Sequence, residues 1–147
     1  MSSFKWSDCP VIIPYYGGKY QLSKVLVPMI PEHKRYIEVF AGGLSMYFRK
    51  VNAELSIVND FDNDIANLYH VVCEDFDAFK KYCRMIPKSR HLLYNFRLEL
   101  NDKHMGKFPD YKRAAKYYYI IMNTFNNNYS SRTNQKAYRC IRFHTLW

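Results

Sequence analysis

Residues 35–45 read Arg-Tyr-Ile-Glu-Val-Phe-Ala-Gly-Gly-Leu-Ser, and they predict a β-strand that runs into a glycine turn. The strand is indicated by the β-formers Tyr36, Ile37, Val39 and Phe40. Gly42 and Gly43 let the backbone bend tightly and approach a ligand closely, because neither has a Cβ. A helix is predicted after the turn from apolar residues at helical spacing: Leu44, Phe48 and Val51.

A second strand is predicted over 55–59, and Asp60 stands at its C-terminal end. In nucleotide-binding α/β folds, an acidic residue about 20 residues beyond such a glycine turn holds a ribose hydroxyl. The two strands therefore predict a nucleoside-type cofactor at the strand ends. An ordinary strand-turn-helix unit with a surface Asp remains the alternative at this point.

A second glycine loop lies nearer the N-terminus, where residues 14–19 read Pro-Tyr-Tyr-Gly-Gly-Lys. Two glycines after two aromatic residues form a loop that can fold closely over a flat ligand. Lys19 is placed to neutralise a carboxylate or a phosphate. The alternative is a simple turn before a helix. That helix is indicated by Leu22, Leu26 and Met29 and is closed by prolines at 28 and 31.

The remainder of the chain predicts helices and one polar loop. Apolar residues recur at helical spacing over 65–72, 76–86, 92–100 and 114–125. Asp62 or Asn63 is suited to cap the first of these helices, so the acids around it do not predict a metal site. The tyrosines at 117–119 indicate core packing, and residues 123–132 are too polar and turn-prone for a helix.

Composition and charge narrow the class of protein. The 147 residues are 48% hydrophobic, which fits one domain or one domain with an appended lobe. No apolar run approaches a membrane span, and the four scattered cysteines predict free thiols. Residues 1–73 hold seven Lys/Arg and seven Asp/Glu, whereas residues 74–147 hold fifteen Lys/Arg and six Asp/Glu. This basic second half favours a nucleic-acid partner over a merely solvated basic surface.

Three stretches together carry a family resemblance: residues 15–19, 38–43 and 59–65, in that order and at those spacings. The chain resembles the Dam-like, D12-class adenine-N6 DNA methyltransferases over essentially its whole length. The resemblance implies an α/β fold in which a partial Rossmann-like methyltransferase sheet precedes a mostly helical target-recognition lobe. It implies an S-adenosylmethionine-binding portion over 1–73 and a basic DNA-recognition lobe over 74–147.

The resemblance also implies roles for particular residues. Tyr15 is expected to pack against the cofactor, Lys19 to pair with its carboxylate, and Asp60 to accept hydrogen bonds from its ribose. The full set of expected cofactor-binding residues is Tyr15, Lys19, Glu38, Phe40, Gly42, Asp60 and Phe61. The expected contacts to double-stranded DNA are Asn123, Asn128, Arg132, Lys136 and Arg139.

The sequence departs from the family pattern in three places. Leu44 stands where the glycine turn has its last glycine, and Thr124 and Asn126 replace residues of the recognition segment that are usually Arg and Gly. The family's Asp-Pro-Pro-Tyr motif, which holds the flipped adenine, does not occur in the sequence. We therefore assign no catalytic residue and expect a truncated or split enzyme that is inactive alone.

Alternatives to an enzyme remain open from the sequence. One is a non-catalytic DNA-binding module that retains a cofactor-like pocket. A weaker one is another nucleotide-binding α/β protein, which would take NAD or ATP. For the methyltransferase, we expect a bacterial or phage-encoded cytoplasmic protein of a restriction-modification system. If the enzyme is split rather than truncated, a second chain would supply the missing catalytic half.

Overall fold

The computed structural model describes residues 13–15, 17–50, 53–101 and 108–124. These residues form a mixed α/β structure with two parallel strands and five α-helices. The chain divides into two compact units, Met1–Asp62 and Asn63–Trp147. This division falls before the boundary at residue 73 that the sequence led us to expect, and the assignment of a separate function to each part remains a prediction.

The first unit is organised by a pair of strands, β1 (Arg35–Glu38) and β2 (Leu55–Val58). They are parallel, with Tyr36 opposite Ser56 and Glu38 opposite Val58. Backbone hydrogen bonds continue beyond the strands, from Asn59 N to Glu38 O (2.8 Å) and from Ala41 N to Asn59 O (2.9 Å). Because both strands end at the same edge of the sheet, the turn after β1 lies beside the residues that follow β2.

The helix predicted from Leu44 is not formed within the described residues, so that prediction was wrong. Residues 44–50 make successive turns, with hydrogen bonds from Phe48 N to Leu44 O (3.1 Å) and from Lys50 N to Met46 O (3.0 Å). Leu44 has a φ of 53°, which lies in the left-handed region, so Leu44 itself cannot be part of a right-handed helix. Val51, the third residue of the predicted face, lies outside the described residues.

The helix predicted around residues 22–29 is short. It consists of α1 (Ser23–Leu26) and a following 3-10 turn (Val27–Met29) that contains Pro28. Its predicted apolar face is open, because Leu22 is 52% exposed and Met29 is 71% exposed. The guanidinium of Arg49 supports this segment, donating to Tyr20 O (2.6 Å) and Ser23 Oγ (2.7 Å).

The second unit is helical in its described residues. Its helices are α2 (Asn63–Glu74), α3 (Phe76–Met85), α4 (Arg90–Asn101) and α5 (Tyr111–Asn123). Helix α5 packs against each of the other three. The predicted helical faces are confirmed in part by burial, with Ile65, Leu68, Phe79, Leu93, Phe96, Leu100, Ala114, Tyr118 and Ile121 in the core. The other predicted members within the described residues are only half-buried, namely Tyr69, Val72, Phe76, Cys83 and Ile86, and Phe125 lies outside the described residues. The tyrosines at 117–119 are also buried, as core packing predicts.

Buried polar contacts join α2 to the start of α5. The side chain of Asn67 donates from Nδ2 to Asp110 O (2.8 Å) and accepts at Oδ1 from Asp110 N (2.9 Å). Arg113 makes a two-pronged ion pair with Asp64, at 2.5 Å from Nε and 3.0 Å from Nη2. Both carboxylate oxygens of the buried Asp64 are therefore satisfied by a charged partner.

No helix in the described part of the chain is long and apolar enough to cross a membrane. The described residues also contain no group of three or more side chains suited to hold a metal ion. Cys73 and Cys83 are free thiols, and Cys9 and Cys140 lie outside the described residues. Burial raises the pKa of the Cys83 thiol to about 12, so this thiol stays protonated and unreactive near neutral pH.

Candidate functional site

A cavity of about 330 Å³ lies in the first unit, at the C-terminal ends of β1 and β2. Three separate stretches of the chain contribute to its wall: the loop at 15–19, the end of β1 with the turn after it, and the residue that follows β2. The lining residues are Tyr15, Gly17, Gly18, Lys19, Glu38, Phe40, Ala41, Gly42, Gly43, Ser45 and Asp60. The carboxyl end of parallel strands is where open α/β sheets bind their ligands.

Asp60 fixes the shape of the glycine turn. Its Oδ2 accepts a hydrogen bond from Gly42 N (2.8 Å), and its Oδ1 accepts one from Asp62 N (2.9 Å). The turn itself is closed by a bond from Leu44 N to Ala41 O (2.8 Å). Gly42 has a φ of 47°, a conformation that glycine adopts without strain. An ionised carboxylate offers about four acceptor positions, so Asp60 retains acceptor capacity toward the cavity.

The aromatic ring of Tyr15 packs directly over Gly42. A Cβ at Gly42 would lie only 3.3 Å from Cδ1 of that ring, so a side chain at this position would displace the ring. Gly18 is more tightly constrained, since a Cβ there would come within 2.8 Å of the backbone oxygen of Tyr15. Gly18 N also donates to Tyr15 O (2.9 Å), which closes the loop. The two glycine stretches quoted from the sequence therefore meet at one aromatic ring.

Lys19 and Glu38 form an ion pair on the cavity wall. Lys19 Nζ lies 3.8 Å from Glu38 Oε1 and donates to Phe40 O at 3.4 Å. Glu38 is buried, whereas the side chain of Lys19 is 45% exposed. The other carboxylate oxygen of Glu38 accepts from the hydroxyl of Tyr36 (3.1 Å). Glu38 thus holds the ammonium group in a fixed position while leaving it accessible from solvent.

Burial shifts the titration of this cluster. It raises the pKa of Glu38, and this is opposed by hydrogen bonds from Tyr36 and the backbone of Tyr47 and by the charge of Lys19. The pKa of the Tyr36 hydroxyl is also raised, first by burial and then by the charge of Glu38. The pKa of Tyr15 is raised by burial and by the negative charges of Asp62 and Asp60. Both tyrosines therefore remain neutral hydrogen-bond donors at neutral pH.

Six of the seven residues expected to bind a cofactor line this cavity, and Phe61 does not. The side chain of Phe61 is 90% exposed. Tyr36 was missed as the support for Glu38. The sequence could have indicated this contact, because Tyr36 and Glu38 are two residues apart on a strand and such residues share a face of the sheet. Gly43 and Ser45 also line the cavity beyond the expected set.

Only one of the expected DNA contacts falls within the described residues. Asn123 is the last residue of α5, and its Nδ2 donates to Tyr119 O (2.8 Å). Asn128, Arg132, Lys136 and Arg139 lie outside the described residues, so their role stays a prediction.

A model of the D12 class N6 adenine-specific DNA methyltransferases matches residues 15–146 of the chain. The chain therefore belongs to this family. Among similar proteins, the Type II methyltransferase M1.LlaDCHI of Lactococcus lactis subsp. cremoris is 25% identical over 82% of the chain. The DNA N-6-adenine-methyltransferase of Escherichia phage P1 is 23% identical over 85% of it. The chain spans only 42% and 15% of these two relatives, respectively.

Proposed function

We propose that the cavity at the strand ends binds S-adenosylmethionine and that the chain is the cofactor-binding and DNA-recognition part of a DNA adenine-N6 methyltransferase. One observation carries this proposal. Three stretches far apart in sequence, around Tyr15, Gly42 and Asp60, line one cavity. The relatives named above are adenine or Type II methyltransferases, which supports the reaction class.

The residues present fit the chemistry of this cofactor. Its carboxylate would pair with the Lys19 ammonium, which Glu38 and Phe40 O hold in place. Its ribose hydroxyls would donate to Asp60, whose two backbone partners leave acceptor positions free. Its adenine would find a flat aromatic surface at Tyr15. A cavity of about 330 Å³ is at the small end of the roughly 300–1,000 Å³ range of ligand sites.

Each group has a distinct task in this arrangement. The bound cofactor supplies an activated methyl group. The chain's own residues bind and orient it: Lys19 and Asp60 fix its two polar ends, and the turn at Gly42 lets the backbone approach it. We assign no proton-transfer or nucleophilic role to any residue, because catalysis in this reaction class rests on positioning the two reactants.

We extend the proposal to the fold and to the helical unit. The parallel pair β1–β2, with ligand-binding groups at its carboxyl edge, supports a partial Rossmann-like sheet. The second unit would be the target-recognition lobe, because the basic excess of the chain lies beyond residue 73. Its recognition segment would be residues 123–132, followed by Lys136 and Arg139.

Calorimetric titration of S-adenosylmethionine into the wild type and Asp60→Asn tests the cofactor assignment. The substitution keeps the shape but removes the charge that accepts ribose hydroxyls, so we expect affinity to fall roughly tenfold or more. Glu54→Gln is the matched control, since Glu54 is exposed and pairs with Lys34 outside this cavity. Equal binding by Asp60→Asn and wild type would refute the ribose assignment. Tighter binding of NAD or ATP would refute the cofactor.

A second candidate function starts from one feature of the 147 residues, which contain no Asp-Pro-Pro-Tyr motif. In that case the chain would be a DNA-binding module that retains a cofactor pocket without catalysis. The two functions differ in one measurable respect. A part of an enzyme gains methyl transfer when a polypeptide carrying that motif is added, whereas a binding module does not.

A further inference from the structure

One acid-free stretch of the helical unit spans residues 78–98. It contains six basic residues, namely Lys80, Lys81, Arg84, Lys88, Arg90 and Arg97. The nearest acids are Asp77 on one side and Glu99 on the other, and Glu99 is paired with Lys116. The first five bases fall between the middle of α3 and the first residue of α4. We call this part of the surface, residues 80–90, the basic corner.

The charged groups of the basic corner are on the surface. Lys81, Arg84, Lys88 and Arg90 are all exposed. A shallow concavity of about 300 Å³ is lined by Lys80, Lys81, Arg84 and Met85, with Asp77 at its edge. Residues three apart on a helix have Cβ atoms about 5–6 Å apart, so Lys81 and Arg84 present neighbouring charges. Neither makes an ion pair within the described part of the chain.

The basic corner is held rigidly from below. The hydroxyl of Tyr119, on the buried face of α5, accepts from Ser89 N (2.9 Å) and donates to Ser89 O (3.1 Å). Ser89 in turn caps α4, because its Oγ accepts from Leu92 N (3.3 Å). The loop that joins α3 to α4 is thus tied to the core at its centre. A pre-ordered surface loses less conformational entropy when it binds a partner.

We propose that the basic corner binds the phosphate backbone of duplex DNA without reading its sequence. The chemistry is that of a polyanion site, since several exposed cations are presented beside a single acid, Asp77. The proposal rests on the proposed function for the identity of the polyanion, and it adds a contact surface separate from the recognition segment at 123–132. Phosphate contacts fix the position of a protein on the duplex and leave base recognition to other residues.

The test compares two double variants that remove the same charge. Lys81→Gln with Arg84→Gln alters the basic corner, and Lys24→Gln with Lys112→Gln removes two exposed bases elsewhere. Binding to a mixed-sequence duplex is measured by fluorescence anisotropy between 50 and 200 mM salt. Each phosphate contact contributes about 0.9 to the slope of log affinity against log salt. We expect the corner variant to lose about 1.8 from that slope and the control to keep it.

The outcomes separate this inference from the proposed function. If the wild type binds DNA and the corner variant matches the control in slope and affinity, the basic corner is not a phosphate site and the proposed function stands. If the wild type shows no salt-dependent DNA binding, both the inference and the DNA part of the proposed function are refuted. Unchanged far-ultraviolet circular dichroism and an unchanged urea midpoint of the corner variant confirm that the helical unit is folded, because both substitutions lie in α3 of that unit.

Discussion

Glu38 is central to the proposed cofactor site. It is buried, yet it carries the charge that holds Lys19 in place. Burial raises its pKa, and this means that ionising Glu38 costs folding free energy that its partners only partly return. Burial of the Glu38 carboxylate is therefore unfavourable for folding, but the carboxylate positions the Lys19 ammonium on the cavity wall.

This balance gives the first prediction at the residue scale. Because the pKa of Glu38 is raised on folding, the folded state binds more protons than the unfolded state above the usual pKa of 4.5. The unfolding free energy of the wild type therefore decreases as pH rises from 4.5 through the raised pKa of Glu38. Glu38→Gln removes the titration, so the unfolding free energy of the variant minus that of wild type should rise with pH above 4.5. Urea unfolding at several pH values measures it.

Glu54→Gln is the control for this pH series, since it removes one exposed carboxylate at the opposite end of β2. A Glu38→Gln difference that follows the control at every pH would mean that burial of Glu38 has no thermodynamic consequence. Glu38→Gln should also weaken S-adenosylmethionine binding, because Lys19 loses the charged partner that positions it.

Leu44 shows how one residue can conceal a local structure from sequence reasoning. Its helical spacing with Phe48 predicted a helix, but it occupies a left-handed conformation with a φ of 53°. Such a conformation costs an ordinary residue about 1–2 kcal/mol. Leu44 is 4% exposed, and burial of a leucine stabilises by roughly 1.5–3 kcal/mol, so packing outweighs the strain. The family's glycine at this position would avoid the strain but lose the burial.

At the scale of elements, the join between α2 and α5 was the least predictable feature of the helical unit. The periodicity of apolar residues predicted both helices, because each buries a continuous face. It did not predict that Asn67, on the buried face of α2, would bind both backbone groups of Asp110. The two residues are 43 positions apart, and nothing local to either one indicates its partner.

We predict that Asn67→Ala destabilises the protein by about 2–4 kcal/mol, because it leaves the N–H of Asp110 and one acceptor position of its C=O unpaired. Asp110→Ala is the comparison. It removes only the side-chain cap on Arg113 N and should cost about 1 kcal/mol. Denaturant midpoints with unchanged slopes give both values. Equal costs for the two variants would show that the Asn67 contact contributes nothing beyond an ordinary helix cap.

The strands were more predictable than their surroundings. Strand-forming residues located β1 and β2 within a residue or two, and parallel pairing then placed Asp60 beside the glycine turn. The sequence did not predict which residues of the two strands are exposed. Ile37, Leu55 and Ile57 lie on one face and are 63%, 50% and 49% exposed. Sequence alone gives the alternation of a strand, but it does not say which face is covered.

At the scale of the whole molecule, the site could be predicted because its chemistry is concentrated in short motifs. The stretch after Tyr15 carries two glycines and Lys19, the turn after β1 carries Gly42 and Gly43, and Asp60 follows β2. Glycine turns and an acid at the ends of strands are typical of a nucleotide-binding site. The basic corner could not be located in this way. Its five bases are spread over 11 residues, and only the helix–loop–helix geometry shows which of them share a surface.

The last prediction concerns catalysis by the chain itself. In this reaction class the target adenine is flipped out, and its amino group must be held against the methyl donor. The proposed cofactor cavity offers groups that fit the donor, but the 147 residues contain no Asp-Pro-Pro-Tyr motif to hold the adenine. We therefore predict that the purified 147-residue chain binds S-adenosylmethionine but transfers no methyl group to adenine in duplex DNA.

Incorporation of radiolabelled methyl groups into unmethylated genomic DNA measures this, with an active adenine methyltransferase of the family as positive control. Calorimetry on the same preparation establishes that the cofactor is bound, so an inactive chain can be told from an unfolded one. Methyl transfer by the chain alone would show that another group grips the adenine. Asp60→Asn would then decide whether this cavity supplies the donor, because its activity should fall in proportion to its loss of cofactor affinity when cofactor is scarce.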